Sequence, residues 1–497
     1  MKRRFANYIL IFTLVVFFIN SFSLASDFRV KSLGQMKLVV EDKNNQLNLY
    51  DFGANPAWLL MDKERSWLRS FFISNMQSGN FKRLYDPETL IDLNAQIEGV
   101  KILDEKQTFY GSVNYHGLSL SKIYQAINRN PYLKNPFRLI DNTTGSINYR
   151  GPRVSFQYSR DLYHKKLFWG AALDYQIETG LKNHFPQPRT IYRYIQLRSG
   201  LAYSLSDQLN MGVTFNYSHT QEFTEIISPG TFESRVVVVN KFRGETISTE
   251  SKGSLENFAK TATYKLGMQS NFKPTDYLET AFLFYYNLKN MNVLEKRFKP
   301  KRDGYWKLNG YELHWQTRLK LPNLPLRLGL ALDHLYFNDW ANHPEFAVLL
   351  GDDYMSEKKI GFGIAYEPLN LPLILGAEYH LGLANKKKKD YISGFMAAGD
   401  LDSRSLKFGV EYRFMVNWRF RAGFIYTQFK IDHDLLSFSE FLPGNRTQMF
   451  TFGMANISGL IESEIYGYIG QQIPIVNKND IKRKQLGIAF SVKFYNN

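Results

Sequence analysis

From about residue 65 onward, apolar side chains recur at every second position along most of the chain, in stretches of roughly ten to seventeen residues. In 209–217 the apolar set is Leu209, Met211, Val213, Phe215 and Tyr217, interleaved with Asn210, Gly212, Thr214 and Asn216. Residues 311–319 repeat the pattern with Tyr311, Leu313, Trp315 and Leu319 against Glu312, His314, Gln316 and Arg318, and it returns in 326–332, 360–366, 406–414 and 486–494. Successive side chains of a strand point to opposite faces, so a period of two predicts strands with one apolar and one polar face.

The connections decide what these strands build. Tight ones at Ser206-Asp207, Pro274-Thr275-Asp276, Pro322-Asn323, Asn370-Leu371, Val416-Asn417 and Ser458-Gly459 alternate with long ones near 224–258, 291–305, 340–356, 386–401 and 432–446. Short periplasmic turns opposite long extracellular loops are the signature of a barrel crossing a bacterial outer membrane. The predicted fold is therefore all-β, a transmembrane antiparallel up-and-down barrel of about 18 strands. The earlier strands fall near 65–75, 88–100, 106–117, 143–160, 165–181 and 190–205. Sixteen strands is the alternative count, because Gly151-Pro152 reads as either a bulge or a tight turn. An even number puts both termini in the periplasm, and a barrel of this size encloses an aqueous, porin-like lumen unless something fills it.

Two segments break the rhythm. Residues 26–63 precede the first strand and hold Asn55-Pro56-Ala57-Trp58-Leu59-Leu60, a turn entering a short helix; they fold into the lumen as a hatch or lie below it. Residues 118–142 carry Leu120, Ile123, Tyr124 and Ile127 at helical spacing, with Pro131 and Pro136 ending the pattern, which predicts a short helix in an extracellular loop.

Composition narrows the class. Lys2, Arg3 and Arg4, the apolar run 9–19 and the small residues Ser23 and Ala25 have the layout of a secretory signal peptide over 1–25. The run is shorter than the ~20 residues that span a bilayer. Aromatic residues are 15% of the chain, high for a globular domain and ordinary for a barrel with interfacial girdles. There is no cysteine, so neither disulfides nor thiolate metal sites serve this fold. The net charge of +16 would suit nucleic acid, but export removes the chain from it; outer-membrane lipid, lipopolysaccharide phosphates and anionic solutes are the expected partners.

If the apolar face meets lipid, the polar face lines the lumen with Arg198, His314, Arg318, Arg327, Glu378, Arg413 and Arg421, among others. Both signs of charge are interleaved there. A selectivity filter favours a ring of one sign, so the mixture points to ion pairs that brace the wall or hold a plug. Residues 386–389, four lysines, are assigned to an extracellular loop, either simply solvated or beside lipopolysaccharide. Asp432-His433-Asp434 is a weak cation motif, and neither a metal nor a cofactor is expected. No G-x-S-x-G element occurs, and His314, His334 and His380 have no evident nucleophile, so the chain does not read as an enzyme.

The last strand, 485–495, alternates without a fault and ends in Phe494 and Tyr495. It resembles the C-terminal signal by which barrel assembly machinery recognises its clients. Asn55-Pro56-Ala57, set between a signal peptide and the first strand, resembles the N-P-A element of the FadL-type long-chain fatty acid transporters and their PorV-like relatives. That resemblance implies that residues 26–63 form a hatch, and that the cargo is a small hydrophobic solute, since the FadL type passes hydrophobic compounds through a lateral opening. Three functions remain open on this reading: an outer-membrane channel or transporter for small solutes, a non-conducting scaffold for surface or secretion machinery, and a rim hydrolase.

Overall fold

The computed structural model describes residues 28–40, 54–61, 65–132, 136–226, 238–243, 248–296, 299–343, 348–476 and 480–496. The signal-peptide region thus lies outside the described residues, as do parts of 26–63. Strands follow one another as β1 (Trp67–Gly79), β2 (Thr89–Asp104), β3 (Gln107–Ala126), β4 (Phe137–Tyr163), β5 (Leu167–Lys182), β6 (Arg189–Ser206) and β7 (Leu209–Ile226). A short pair comes next, β8 (Val238–Arg243) and β9 (Ser248–Lys252), then β10 (Leu255–Thr275), β11 (Leu278–Glu295), β12 (Lys301–Lys320), β13 (Leu326–His343) and β14 (Val348–Tyr366). The chain closes with β15 (Leu373–Asp390), β16 (Phe395–Tyr412), β17 (Trp418–Ile431), β18 (Asn445–Ser458), β19 (Ile461–Pro474) and β20 (Arg483–Tyr495).

Each strand from β1 to β7 pairs antiparallel with the next, β7 passes directly to β10, and pairing continues to β20. β20 then pairs with β1, from Trp67↔Tyr495 to Gly79↔Arg483, and the ring closes at 18 strands. Closure leaves the ring itself without a free edge, the condition for strands in hydrocarbon. β8 and β9 stand outside the ring; β8 pairs with the start of β4, from Phe137↔Arg243 to Asp141↔Val239, so the hairpin extends one wall at the long-loop end.

The period of two sorts side chains as expected. Along β14, Phe362 is 56% exposed on the outside while Ala365 is 2% exposed on the inside. Outside, aromatic rings meet across strands: Tyr217 with Tyr264 at 5.2 Å, Tyr311 with Tyr336 at 5.3 Å and Tyr336 with Tyr354 at 5.5 Å between centroids. His334 belongs to this outer belt, edge-on to Tyr311, and does not face the lumen.

Four expectations change. The spacing of Leu120, Ile123 and Tyr124 is not helical but belongs to β3, where pairing steps from Leu120↔Ile147 to Ile123↔Gly145. A bulge adds one residue to one strand and turns a two-residue repeat into three, which imitates a helix in sequence. Gly151-Pro152 is no turn: β4 runs through it, and pairing with β5 lapses between Arg150↔Thr179 and Arg153↔Gln176. Proline has no N–H for the ladder, and a Cβ at residue 151 would sit 1.8 Å from the Ile177 carbonyl oxygen, so only glycine fits before it. The lysines 386–389 are not in a loop but at the end of β15. The long loops are also shorter than expected, because ring strands run 13 to 27 residues where about 9–11 cross a bilayer. Beyond the bilayer neither face need be apolar, and the alternation that marks a strand fades.

Candidate functional site

The N-terminal segment lies inside the ring, seated on two stretches of inner wall on opposite sides of the barrel. The first seat receives residues 28–40, which begin as the short helix α1 (Phe28–Ser32). Leu33 and Met36 are fully buried there. The wall is cut back by glycines on the inner face of β13 to β18, so backbone can approach backbone. At Gly409 a Cβ would lie 2.6 Å from the Leu33 carbonyl oxygen, and at Gly423 2.2 Å from the Gly34 nitrogen.

Polar side chains of the same wall bind the segment. Glu378 accepts from the backbone N–H of Leu38 at 2.6 Å, Arg318 donates to the carbonyls of Leu38 and Lys37 at 2.8 and 2.6 Å, and Lys407 donates to that of Gln35 at 2.9 Å. Thr451 donates to the Ser32 carbonyl at 2.7 Å. Arg29 pairs with Glu411 at 2.9 Å, and Arg421 pairs with the same carboxylate at 2.9 Å and with Glu464 at 2.7 Å. The Glu411 side chain has no solvent exposure, so these charges are held by one another and not by water.

The second seat receives residues 54–61. Asn55 is fully buried; its amide Nδ2 donates to the backbone carbonyls of Leu201 on β6 and Val213 on β7, at 3.1 and 3.2 Å. Its Oδ1 accepts from the N–H of Ala57 at 3.0 Å, which turns the chain into the short helix α2 (Trp58–Met61). Pro56 suits that turn because its missing N–H needs no partner there. The Pro56 and Ala57 carbonyls accept from Gln157 and Ser159 of β4, and the Trp58 indole donates to Gln269 of β10 at 2.6 Å. A side chain at residue 200 would strike Asn55 Oδ1 at 2.0 Å.

Toward the long-loop end the lumen narrows. The connection between β3 and β4 folds inward: Arg129 donates to Glu178 at 2.7 Å, and its N–H and Asn128 donate to Glu222. His116 bridges Glu178 and Asp92 at 2.5 and 3.0 Å. In the same connection burial pushes the Tyr132 hydroxyl above its ordinary pKa; it accepts from the Tyr85 N–H at 2.6 Å. Arg138, at the start of β4, donates to Ser439, in the connection between β17 and β18, at 2.8 Å, tying that connection to a well-separated strand. Lys386 pairs with Asp353 and Glu440 at 3.1 and 2.5 Å, and so binds a loop rather than standing in solvent. Asp432 accepts from the Asp400 N–H at 2.8 Å, so one member of the Asp432-His433-Asp434 motif closes a loop.

The inner face places the sequence candidates as follows. Arg318 and Glu378 touch the first seated segment, and Arg421 reaches it through Glu411. Arg327 and Arg413 share Glu367 just beside that seat. Arg198 serves the second seat, donating to the Ala54 carbonyl at 3.3 Å and to Asp174 at 2.9 Å. His314 stands apart, paired with Asp333 at 2.8 Å. Arg29, Thr451, Gln157, Ser159 and Gln269 were not singled out by sequence; the period of two marks the four wall residues as inward, but nothing local marks their partners.

A model of a family of unknown function (DUF6850) matches residues 56–339, more than half of the chain. No curated protein matches. Among solved structures, the copper transporter OprC is similar at a TM-score of 0.47 and 9% identity over 86% of this chain and 81% of that one. A Pseudomonas aeruginosa FadL homologue is similar at 0.37 and 13% over 95% and 98%, and the toluene transporter TbuX of Ralstonia pickettii at 0.37 and 12% over 95% and 98%. Likenesses this distant say nothing of what this barrel carries.

Proposed function

We propose, for a chain that belongs to the family of unknown function DUF6850 and whose membership names no cargo, a gated channel of a bacterial outer membrane that passes small solutes. The observation that carries this reading is the way the lumen is filled. Residues 28–40 are held in the lumen by hydrogen bonds and ion pairs to the wall, contacts that re-form in water or with a solute, beside one small apolar cluster of Leu33, Met36, Leu38, Val39 and Val40. An outer surface of exposed apolar side chains with aromatic belts supports the membrane setting.

Solute entry into liposomes tests the reading. The purified chain is expected to admit small solutes slowly, and Gly409→Val to admit them faster, because the new side chain collides with Leu33 and Met36 and displaces the segment. A variant barrel as tight as empty liposomes would overturn the proposal.

A further inference from the structure

We propose that the outer wall over the first seat holds one acyl chain of a membrane lipid in a preformed groove. The inference rests on reading the outward face as membrane-facing. The groove, of about 610 Å³, lies across β14 to β17. Two outward rows bound it, and strand register aligns them: Ile364, Ala377, Phe408 and Phe424 on one side, Tyr366, Leu375, Val410 and Ala422 on the other. Between the rows runs the backbone of Gly376, Gly409 and Gly423, paired in line across β15, β16 and β17.

Two features make this more than the texture of any barrel. Ala377 and Ala422 break rows otherwise filled by large side chains, so the slot is widened at two diagonal points. The floor is also backed from inside: Met36 Cε would lie 2.7 and 2.5 Å from a Cβ at Gly376 and Gly409, so the seated segment occupies the space into which the wall would otherwise relax. Its side chains are hydrocarbon but for the Tyr366 hydroxyl, which excludes a polar ligand and selects an alkyl one. Crossing from β14 to β17 covers roughly 15 Å at the usual strand spacing, the shape of a flexible chain laid flat rather than a compact ring system.

The test uses the full chain in phosphatidylcholine vesicles doped with a phospholipid carrying a photoactivatable diazirine on its acyl chain. Labelling is expected to concentrate on β15 to β17 and to fall several-fold there in Ala377→Phe/Ala422→Phe. Labelling spread evenly around the outward strands would overturn the groove while leaving the membrane setting intact, and labelling nowhere would remove both. A cross-link between two copies through this face would also overturn it, by making the occupant protein. Should the double variant fail to assemble, the wild-type labelling map alone separates these outcomes.

Discussion

Asn55 uses both ends of its amide to hold a turn against two strands, and no other side chain has that pair of functions at that size. Asn55→Ala leaves the Ala57 N–H without its side-chain acceptor and takes one donor each from the Leu201 and Val213 carbonyls, which stay in the strand ladder. A loss of about 1–3 kcal/mol of local stability follows for each buried group left unpaired. Hydrogen exchange should show faster exchange in 54–61 with the strands unchanged, and Asn55→Asp should be worse, since a carboxylate faces two carbonyls. Equal protection in wild type and Asn55→Ala would refute the anchoring role. The motif was legible as a turn into a helix, and the inward residues were legible by their parity. Their partners were not: Arg318 meets Leu38 across 280 residues and Arg29 meets Glu411 across 382, and no local pattern records such distance.

At the scale of elements, β16 is the strand on which the first seat depends, because Glu411 gathers Arg29 from the segment and Arg421 from β17. Glu411→Ala takes a carboxylate partner from two buried guanidinium groups, of which Arg421 keeps its pair with Glu464, and should cost about 3–5 kcal/mol, while Arg29→Met with Glu411→Met should recover part of that. A fluorophore on Lys37→Cys, in a chain with no other cysteine, would follow release of the segment in denaturant. Salt should change the wild-type midpoint little, since the pair is buried. Where sequence reading of elements failed, it failed at departures from the period. Bulges in β3 imitated a helix, and strand ends past the bilayer lost their alternation and read as loops.

For the molecule as a whole, the number of strands was legible because closure demands an even count and the turns are sorted by length. The seam between β1 and β20 is the point where that closure is made. Deleting residues 483–497 would leave β1 and β19 with bare edges, and the chain should no longer assemble. The readout is loss of the fast-migrating folded band in unheated electrophoresis. A folded band in the deletion would mean that β19 can close on β1 directly. The hairpin of β8 and β9, hidden in a long connection, has no such global rule to announce it.

The first seat also sets an order in time. Residues 28–40 are synthesised before any strand, yet Glu378, Lys407, Glu411 and Thr451, which bind them, belong to strands made among the last. Contacts of such long sequence separation form late. The segment must wait unseated while the wall is built, and its docking then reports that those later strands are in register, so that a barrel with a misaligned β16 would be left open rather than merely weakened.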